Sequence, residues 1–421
     1  MKKGKVFAVA GVTLLAAGLL AACSGSNTSK SGSGSNEDKN YGYVYTSDPT
    51  TLDYTVSSKA ATHDITTNVV DGLLENDKYG NLVPSLAEDW SVSKDGLTYT
   101  YKIRKGVKWY DADGEEHGEV TAQDFVTGLK HAADKKSESL PLVQGSVKGL
   151  DDYVQGKITD FSQVGVKAVD DYTLEYTLNK PETFWNSKTT NGILFPISTE
   201  FLKSKGEDFG QPNDVKSILA NGPFLLKSIT SKSSVVFEKN DNYWDADSVH
   251  LDKVTWKIIQ EETTVYNSFD SGSLDTCSSG TPEWIDRFSK KDGVKSLEYE
   301  NTTLRCHFFN TKDELFQNEN IRKAFTYAMD REDINSTIYF DTHKPSYSWV
   351  MGPVSTGENG SYREQVGETP LKDIMANQDP KELLLKGMEE LGLGDDPSQI
   401  TVTLSVGGTT QWLRTYGEYF Q

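Results

Sequence analysis

Cysteine is nearly absent from this sequence. The 421 residues hold three, at 23, 277 and 306, too few for a disulfide framework. There is no C-x-x-C pair, and the six histidines are scattered, so no ligand set for a metal stands out. The chain also lacks H-E-x-x-H, G-x-S-x-G and a Walker A loop, the signatures of zinc proteases, α/β-hydrolases and P-loop enzymes. No catalytic residue, metal or cofactor is therefore expected. Asp111-Ala112-Asp113-Gly114 begins like a calcium loop, but its glycine falls too early, so a plain turn is expected; Asp245-Ala246-Asp247 is equally weak. Positive charge is short as well. With 43 Lys and Arg against 62 Asp and Glu, the net charge of −19 argues against nucleic acid and against adsorption on anionic lipid. Beyond the first 22 residues no apolar run is long enough to span a bilayer.

What is there begins with a basic start, Met1-Lys2-Lys3-Gly4-Lys5, followed by an uncharged run from Val6 to Ala22. Leu20-Ala21-Ala22-Cys23 then has the form of a lipoprotein cleavage box, in which Cys23 becomes the acylated first residue. Residues 1–22 are read as a signal peptide, whose removal takes away three lysines and leaves a net charge of −22. Residues 23–40, rich in Ser and Gly, are read as a lipidated flexible tether that holds the folded part at the membrane on its extracytoplasmic face.

The most informative stretch runs from Leu86 to Phe125. Asp95-Gly96 makes a turn, and Leu97, Tyr99, Tyr101 and Ile103 then alternate with Thr98, Thr100, Lys102 and Arg104, the period of a half-buried strand. Arg104-Lys105-Gly106-Val107-Lys108-Trp109, Asp113-Gly114 and Val120-Thr121-Ala122-Gln123-Asp124-Phe125 follow. Thr121 is placed as a helix N-cap with Asp124 in the first turn, and Phe125, Leu129 and Ala132 form the apolar face. Strand, turn and cap alone would suit many folds.

The order A-x-x-W, D-G, strand, R-x-G-V-x-W, D-G, V-T-A-x-D-F resembles the signature of the extracytoplasmic oligopeptide-binding lipoproteins of ATP-binding-cassette importers, family 5 solute-binding proteins of the streptococcal type. Asn221-Gly222-Pro223-Phe224, Asn240-Asp241-Asn242-Tyr243-Trp244 and the run Phe308-Phe309-Asn310 to Arg322-Lys323-Ala324-Phe325 resemble further family segments. The resemblance implies an α/β, two-lobed, periplasmic-binding-protein-like fold of type II with an extra small domain. In that scheme lobe I takes 41–70 and 181–305, the small domain takes 71–180, and an incomplete lobe II takes 306–421. It also implies that oligopeptides bind between the lobes, mainly through backbone contacts, and pass to permease subunits, with the receptor a monomer. By resemblance, the backbone of Ser58, Lys59 and Ala60 lies along the peptide, Leu140 and Leu142 border the cleft, and Trp412 and Arg414 face its far end. Composition alone reads Ser58–Ala60 as an ordinary surface loop and Arg414 as a solvated helix residue.

Elsewhere, Tyr41–Tyr45, Leu304–Phe309 and Ile400–Val406 read as strands, as does Tyr172–Leu178 after an Asp170-Asp171 turn. Ile321, Ala324, Phe325, Ala328 and Met329 mark an amphipathic helix, and Asp379-Pro380-Lys381-Glu382 opens another. Tyr243 and Trp244 are expected to pack in a core. Cys277 and Cys306 are expected as two separate thiols, buried free cysteine being ordinary packing. Relatives of the type continue beyond the last helix into a segment whose Asp holds the peptide's amino group. That residue has no counterpart to assign here, so exposed sheet edges and apolar faces in lobe II, and weak or absent peptide binding, are expected. Two other readings fit the same features: a surface lipoprotein serving as adhesin or peptide sensor without transport, and the same fold with nickel chelates, haem or a dipeptide as ligand.

Overall fold

The computed structural model describes residues 39–356, 360–367, 370–408 and 411–421. The signal peptide, Cys23 and nearly all of the tether lie outside the described residues. Among the described residues there are twelve strands: β1 Asn40–Tyr45, β2 Leu74–Asn76, β3 Leu82–Pro84, β4 Ala87–Val92, β5 Thr98–Ile103, β6 Lys108–Tyr110, β7 Glu116–Glu119, β8 Val166–Asp170, β9 Thr173–Thr177, β10 Phe224–Thr230, β11 Ser234–Lys239 and β12 Lys253–Ile258. They form two four-stranded sheets, ordered β1-β12-β11-β10 and β4-β5-β9-β8, and two hairpins, β2-β3 and β6-β7. Helices and short turns fill the remainder, giving a mixed α/β architecture.

The chain divides into two compact units. Among the described residues, unit 1 takes 39–41 and Asp48–Trp256, and unit 2 takes Gly42–Ser47 and Lys257–Gln421. The stretch 71–180 lies wholly in unit 1, and the break at 256/257 falls inside 181–305.

In unit 1 the expected alternation becomes structure. Gly96 turns the chain at φ +72°, and Tyr99, Tyr101 and Ile103 of β5 are buried while Lys102 is exposed. β5 pairs antiparallel with both β4 and β9, matching Tyr101 to Trp90 on one side and to Leu174 on the other. Below them, Tyr176 sits between Tyr101 (6.3 Å) and Trp185 (5.2 Å), an aromatic core of edge and tilted contacts. The helix Ala122–Asp134 buries Phe125, Leu129 and Ala132. Its Asp124 ties three parts of the fold together, accepting from Thr121 N–H (3.1 Å), Trp109 Nε1–H (3.1 Å) and the N–H and hydroxyl of Thr199 (both 3.0 Å). Burial pushes that carboxyl up, and these donors oppose the shift. Asp111 closes the β6-β7 turn by accepting from Asp113 N–H and Glu115 N–H at 2.9 Å each, so this stretch is a plain turn.

In unit 2 the expected helices form. Glu319–Ala328 buries Ile321 and Ala324, and Asp379 caps Pro380–Glu390 by accepting from Lys381 N–H at 2.7 Å. The strand expected at Tyr41–Tyr45 forms as β1, whose Gly42–Tyr45 part belongs to this unit, but two other expected strands do not form. Leu304–Phe309 and Ile400–Val406 carry no strand, because an extended segment becomes one only by pairing its N–H and C=O groups with a neighbour. Cys277 and Cys306 are both free, but Cys306 is exposed rather than buried in a strand.

Candidate functional site

The first candidate segment is built by Asp53. Its Oδ1 accepts from the N–H and hydroxyl of Thr55 (3.2 and 2.9 Å), and its carbonyl accepts from Ser57 N–H (3.1 Å), turning the chain outward. Ser57 is buried, and Ser58, Lys59 and Ala60 are exposed. Ser57 Oγ accepts from Lys59 N–H at 3.1 Å, and the Ser57 carbonyl accepts from His63 Nε2–H at 2.8 Å, which places that proton on Nε2. Ala60 opens the helix Ala60–Thr66.

A second segment runs beside it. After the helix Ala122–Asp134, Lys136 turns the chain with φ +53°, and Ser137 N–H returns to the Ala132 carbonyl at 2.9 Å. Ser137–Ser139 then fastens onto Thr55–Ser58. Ser137 Oγ lies 2.7 Å from the Thr55 carbonyl and 3.1 Å from that of Val56, sharing its proton between them. Glu138 N–H donates to the Val56 carbonyl at 2.9 Å, and Ser139 Oγ–H to the Ser57 carbonyl at 3.0 Å. In return, Glu138 Oε2 accepts from Ser58 N–H (3.1 Å) and Ser58 Oγ–H (2.9 Å) and lies 3.8 Å from Lys59 Nζ. These donors hold the Glu138 carboxyl below the usual carboxylate range. Leu140 follows, buried, and Leu142 emerges to solvent. The structure thus brings Ser58, Lys59 and Ala60 next to the segment that leads into Leu140 and Leu142. The residues that join them, Ser137, Glu138 and Ser139, carry no motif. Nothing in a lone Ser-Glu-Ser after a helix marks it.

Trp412 and Arg414 belong to unit 2. Trp412 is half-buried, stacked on Tyr416 (5.3 Å, 26°), with the Arg305 guanidinium 4.8 Å above its ring. His307 Nε2 lies 2.8 Å from the Tyr416 hydroxyl. Arg414 is exposed, and two positions along a helix separate it from the face that carries Trp412 and Tyr416.

Two further polar clusters in unit 1 were not foreseen. Asp71 is buried, and its Oδ2 accepts from Tyr243 O–H (2.9 Å) and Trp244 Nε1–H (3.1 Å), while its N–H donates to Asn221 Oδ1 (2.7 Å). Arg104 stacks 3.8 Å over Trp244. Burial raises the Asp71 carboxyl to about 6. Tyr243 and Trp244 are therefore half-buried donors to a carboxylate rather than simple core packing. The second cluster joins Lys188 Nζ to Ser146 Oγ (2.7 Å) and Glu182 Oε2 (3.0 Å), with Ser146 Oγ–H donating to Glu182. It could pass for a Ser-Lys nucleophile, but Ser146 and Glu182 are buried and the hydroxyl proton points at the carboxylate, so it fastens the fold. A pocket of about 340 Å³ lies near Val56, with the buried pair His131 Nε2–Asp53 Oδ2 (2.7 Å) on its wall. Among the described residues no group of His, Cys, Asp or Glu could hold a metal ion, and no helix is long and apolar enough to cross a membrane.

Residues 81–421 match the model of the bacterial extracellular solute-binding proteins, family 5. The chain belongs to this family. This family 5 chain is 53% identical over 354 residues to the oligopeptide-binding protein SarA of Streptococcus gordonii, covering 79% of this chain and 53% of SarA. It is 51% identical over 361 residues to the oligopeptide-binding protein AliA of Streptococcus pneumoniae, covering 83% of this chain and 53% of AliA. The chain thus spans about half the length of these curated relatives. Among solved structures, peptide-bound OppA of Listeria monocytogenes superposes with a TM-score of 0.71 at 26% identity, over 92% of this chain and 74% of OppA. The α/β fold is that of the oligopeptide-binding members, and the family is one of solute-binding proteins, not enzymes.

Proposed function

We propose that this family 5 protein is a receptor that binds oligopeptides and delivers them to the permease of an ATP-binding-cassette importer, held to the outer face of the cell membrane by lipid on Cys23. The observation that carries the reading is the identity of about one residue in two with streptococcal proteins named for oligopeptide binding. A peptide presents the same backbone groups whatever its side chains, so a receptor of broad specificity pairs that backbone and leaves side-chain room. Ser58, Lys59 and Ala60 suit the role as an exposed segment with extended backbone at Lys59 (φ −80°, ψ 132°). Within unit 1, Leu140 and Leu142 extend the proposed contacts; Trp412 and Arg414 of unit 2 are proposed as peptide contacts on the family resemblance alone. The receptor is taken to act as a monomer.

The test is thermal unfolding of residues 24–421 with and without a mixed synthetic pentapeptide pool. A midpoint that rises with peptide concentration supports the reading and overturns the expectation of weak or absent binding. A midpoint unmoved at millimolar peptide overturns the reading for this chain. Transport is tested separately, as peptide uptake that stops when the permease is deleted; binding without such uptake would favour a sensor or adhesin.

A further inference from the structure

The proposed peptide segment is held in place by a residue that no motif marks. Between Thr55 and Ser58 the chain exchanges its backbone groups with Ser137–Ser139 rather than with a strand: the carbonyls of Thr55, Val56 and Ser57 all accept from that segment. Ser58 is the last residue in the series, and there the direction reverses. Its N–H and its hydroxyl both donate to one oxygen of Glu138, and Lys59 brings its ammonium to the same oxygen. The Lys59 N–H is taken by Ser57 Oγ, and the Lys59 carbonyl accepts from Thr62 and His63 at the start of the following helix. Among the described residues, the Ser58 carbonyl is the backbone group of Ser58 and Lys59 that accepts or donates nothing.

Resting on the peptide-binding reading above, we propose that Glu138 is a positioning residue of the site. Its carboxylate fixes Ser58 and Lys59 so that the Ser58 carbonyl stands ready for a peptide N–H. Three contacts converge on one carboxylate oxygen, and two of them are charge-assisted hydrogen bonds, stronger and more directional than neutral ones. Without them Ser58–Ala60 is an exposed loop with one serine hydroxyl to order it, and ordering such a segment on binding lowers affinity. Glu138 touches no ligand in this scheme. It acts through Ser58.

Three forms of residues 24–421 test this: the wild type, E138A and E138Q. The Gln amide oxygen can still accept from Ser58, whereas Ala cannot. Amide hydrogen exchange at Ser58 should quicken in E138A and stay slow in E138Q and the wild type. Titration with the mixed synthetic pentapeptide pool should show apparent affinity falling about tenfold in E138A, the effect of one charge-assisted hydrogen bond, and largely restored in E138Q. The unfolding midpoint of E138A should match that of the wild type, since the side chain is exposed. If the wild type binds the pool and E138A binds it equally well, the positioning role is overturned while the peptide-binding reading stands. E138Q as weak as E138A also overturns it, by assigning the effect to the charge on Lys59. Binding of the pool by none of the three forms removes the peptide-binding reading, and with it this inference, whatever the exchange data show.

Discussion

Unit 1 and unit 2 are written in the same kinds of sequence pattern and use them differently. Strands β2 to β11 lie in unit 1, whereas the described residues of unit 2 hold Gly42–Tyr45 of β1 and the last two residues of β12. In unit 1 the large aromatics Trp109, Trp185, Tyr101, Tyr176 and Phe125 are buried almost completely. In unit 2 Phe308 is 81% exposed, and Leu297, Tyr299 and Trp349 also face solvent. Unit 2 has its own helical packing, seated on Ile321, Ala324, Ile334, Ile338 and Met388. The difference teaches that apolar alternation gives a segment the capacity for strand structure, and that pairing and coverage decide whether it is realised.

The largest expected effect breaks the comparison open with two tryptophans. Trp109 is 1% exposed and donates to Asp124, so W109A leaves a cavity and removes one partner of a buried carboxylate. A loss of about 3–5 kcal/mol is expected, read as a lower urea midpoint at constant slope. Trp349 is 69% exposed and meets Phe308 edge-on at 6.3 Å, so W349A should change stability by no more than ~0.5 kcal/mol. Equal losses in the two variants would mean that the exposed aromatics of unit 2 are as deeply engaged in solution as the core of unit 1.

The contrast also marks how far the sequence could be read. β5 and the helix Ala122–Asp134 were legible because each shows one buried face at its own period, and Asp379 because a cap is a local event. Leu304–Phe309 and Ile400–Val406 show the same alternation and form no strand, since a sequence window carries no record of whether a partner strand lies alongside. The family was legible for a different reason: a long ordered string of turns and aromatics has few sources. The joints of the site were not legible. Glu138 meets Ser58 across 80 residues, and Asp71 meets Tyr243 across 172, so no spacing rule brings them together.

Asp71 sharpens the comparison through pH. Its folded-state value of about 6 lies above the ordinary carboxylate value, so folded unit 1 binds this proton more tightly than the unfolded chain does. Its contribution to stability is therefore fully present below about pH 4 and is lost as pH rises through about 6, a span of about 3 kcal/mol at most. D71N removes the proton from the balance. Between pH 7.5 and 4.5 the wild type should gain stability relative to D71N, measured as the difference of their urea unfolding free energies. A flat difference would show that Tyr243, Trp244 and Arg104 compensate the charge fully.

The smallest effect lies at the turn that delivers the clamp. Lys136 holds φ +53°, a conformation in which a side chain costs about 1–2 kcal/mol, and it is exposed, so its side chain returns nothing from packing. Glycine removes that penalty but adds about 0.5–1 kcal/mol of chain entropy lost on folding. The balance favours K136G by about 0.5 kcal/mol, seen as slower amide exchange at Ser137, whose N–H closes the turn onto Ala132. Phe340 in unit 2 holds a similar φ of +51° with its ring exposed, so F340G tests whether the same relief acts where packing is sparse. If K136G instead quickens exchange at Ser137, the lysine stem is ordering the turn. The clamp on Ser58 would then depend on the side chain at 136 as well as on Glu138.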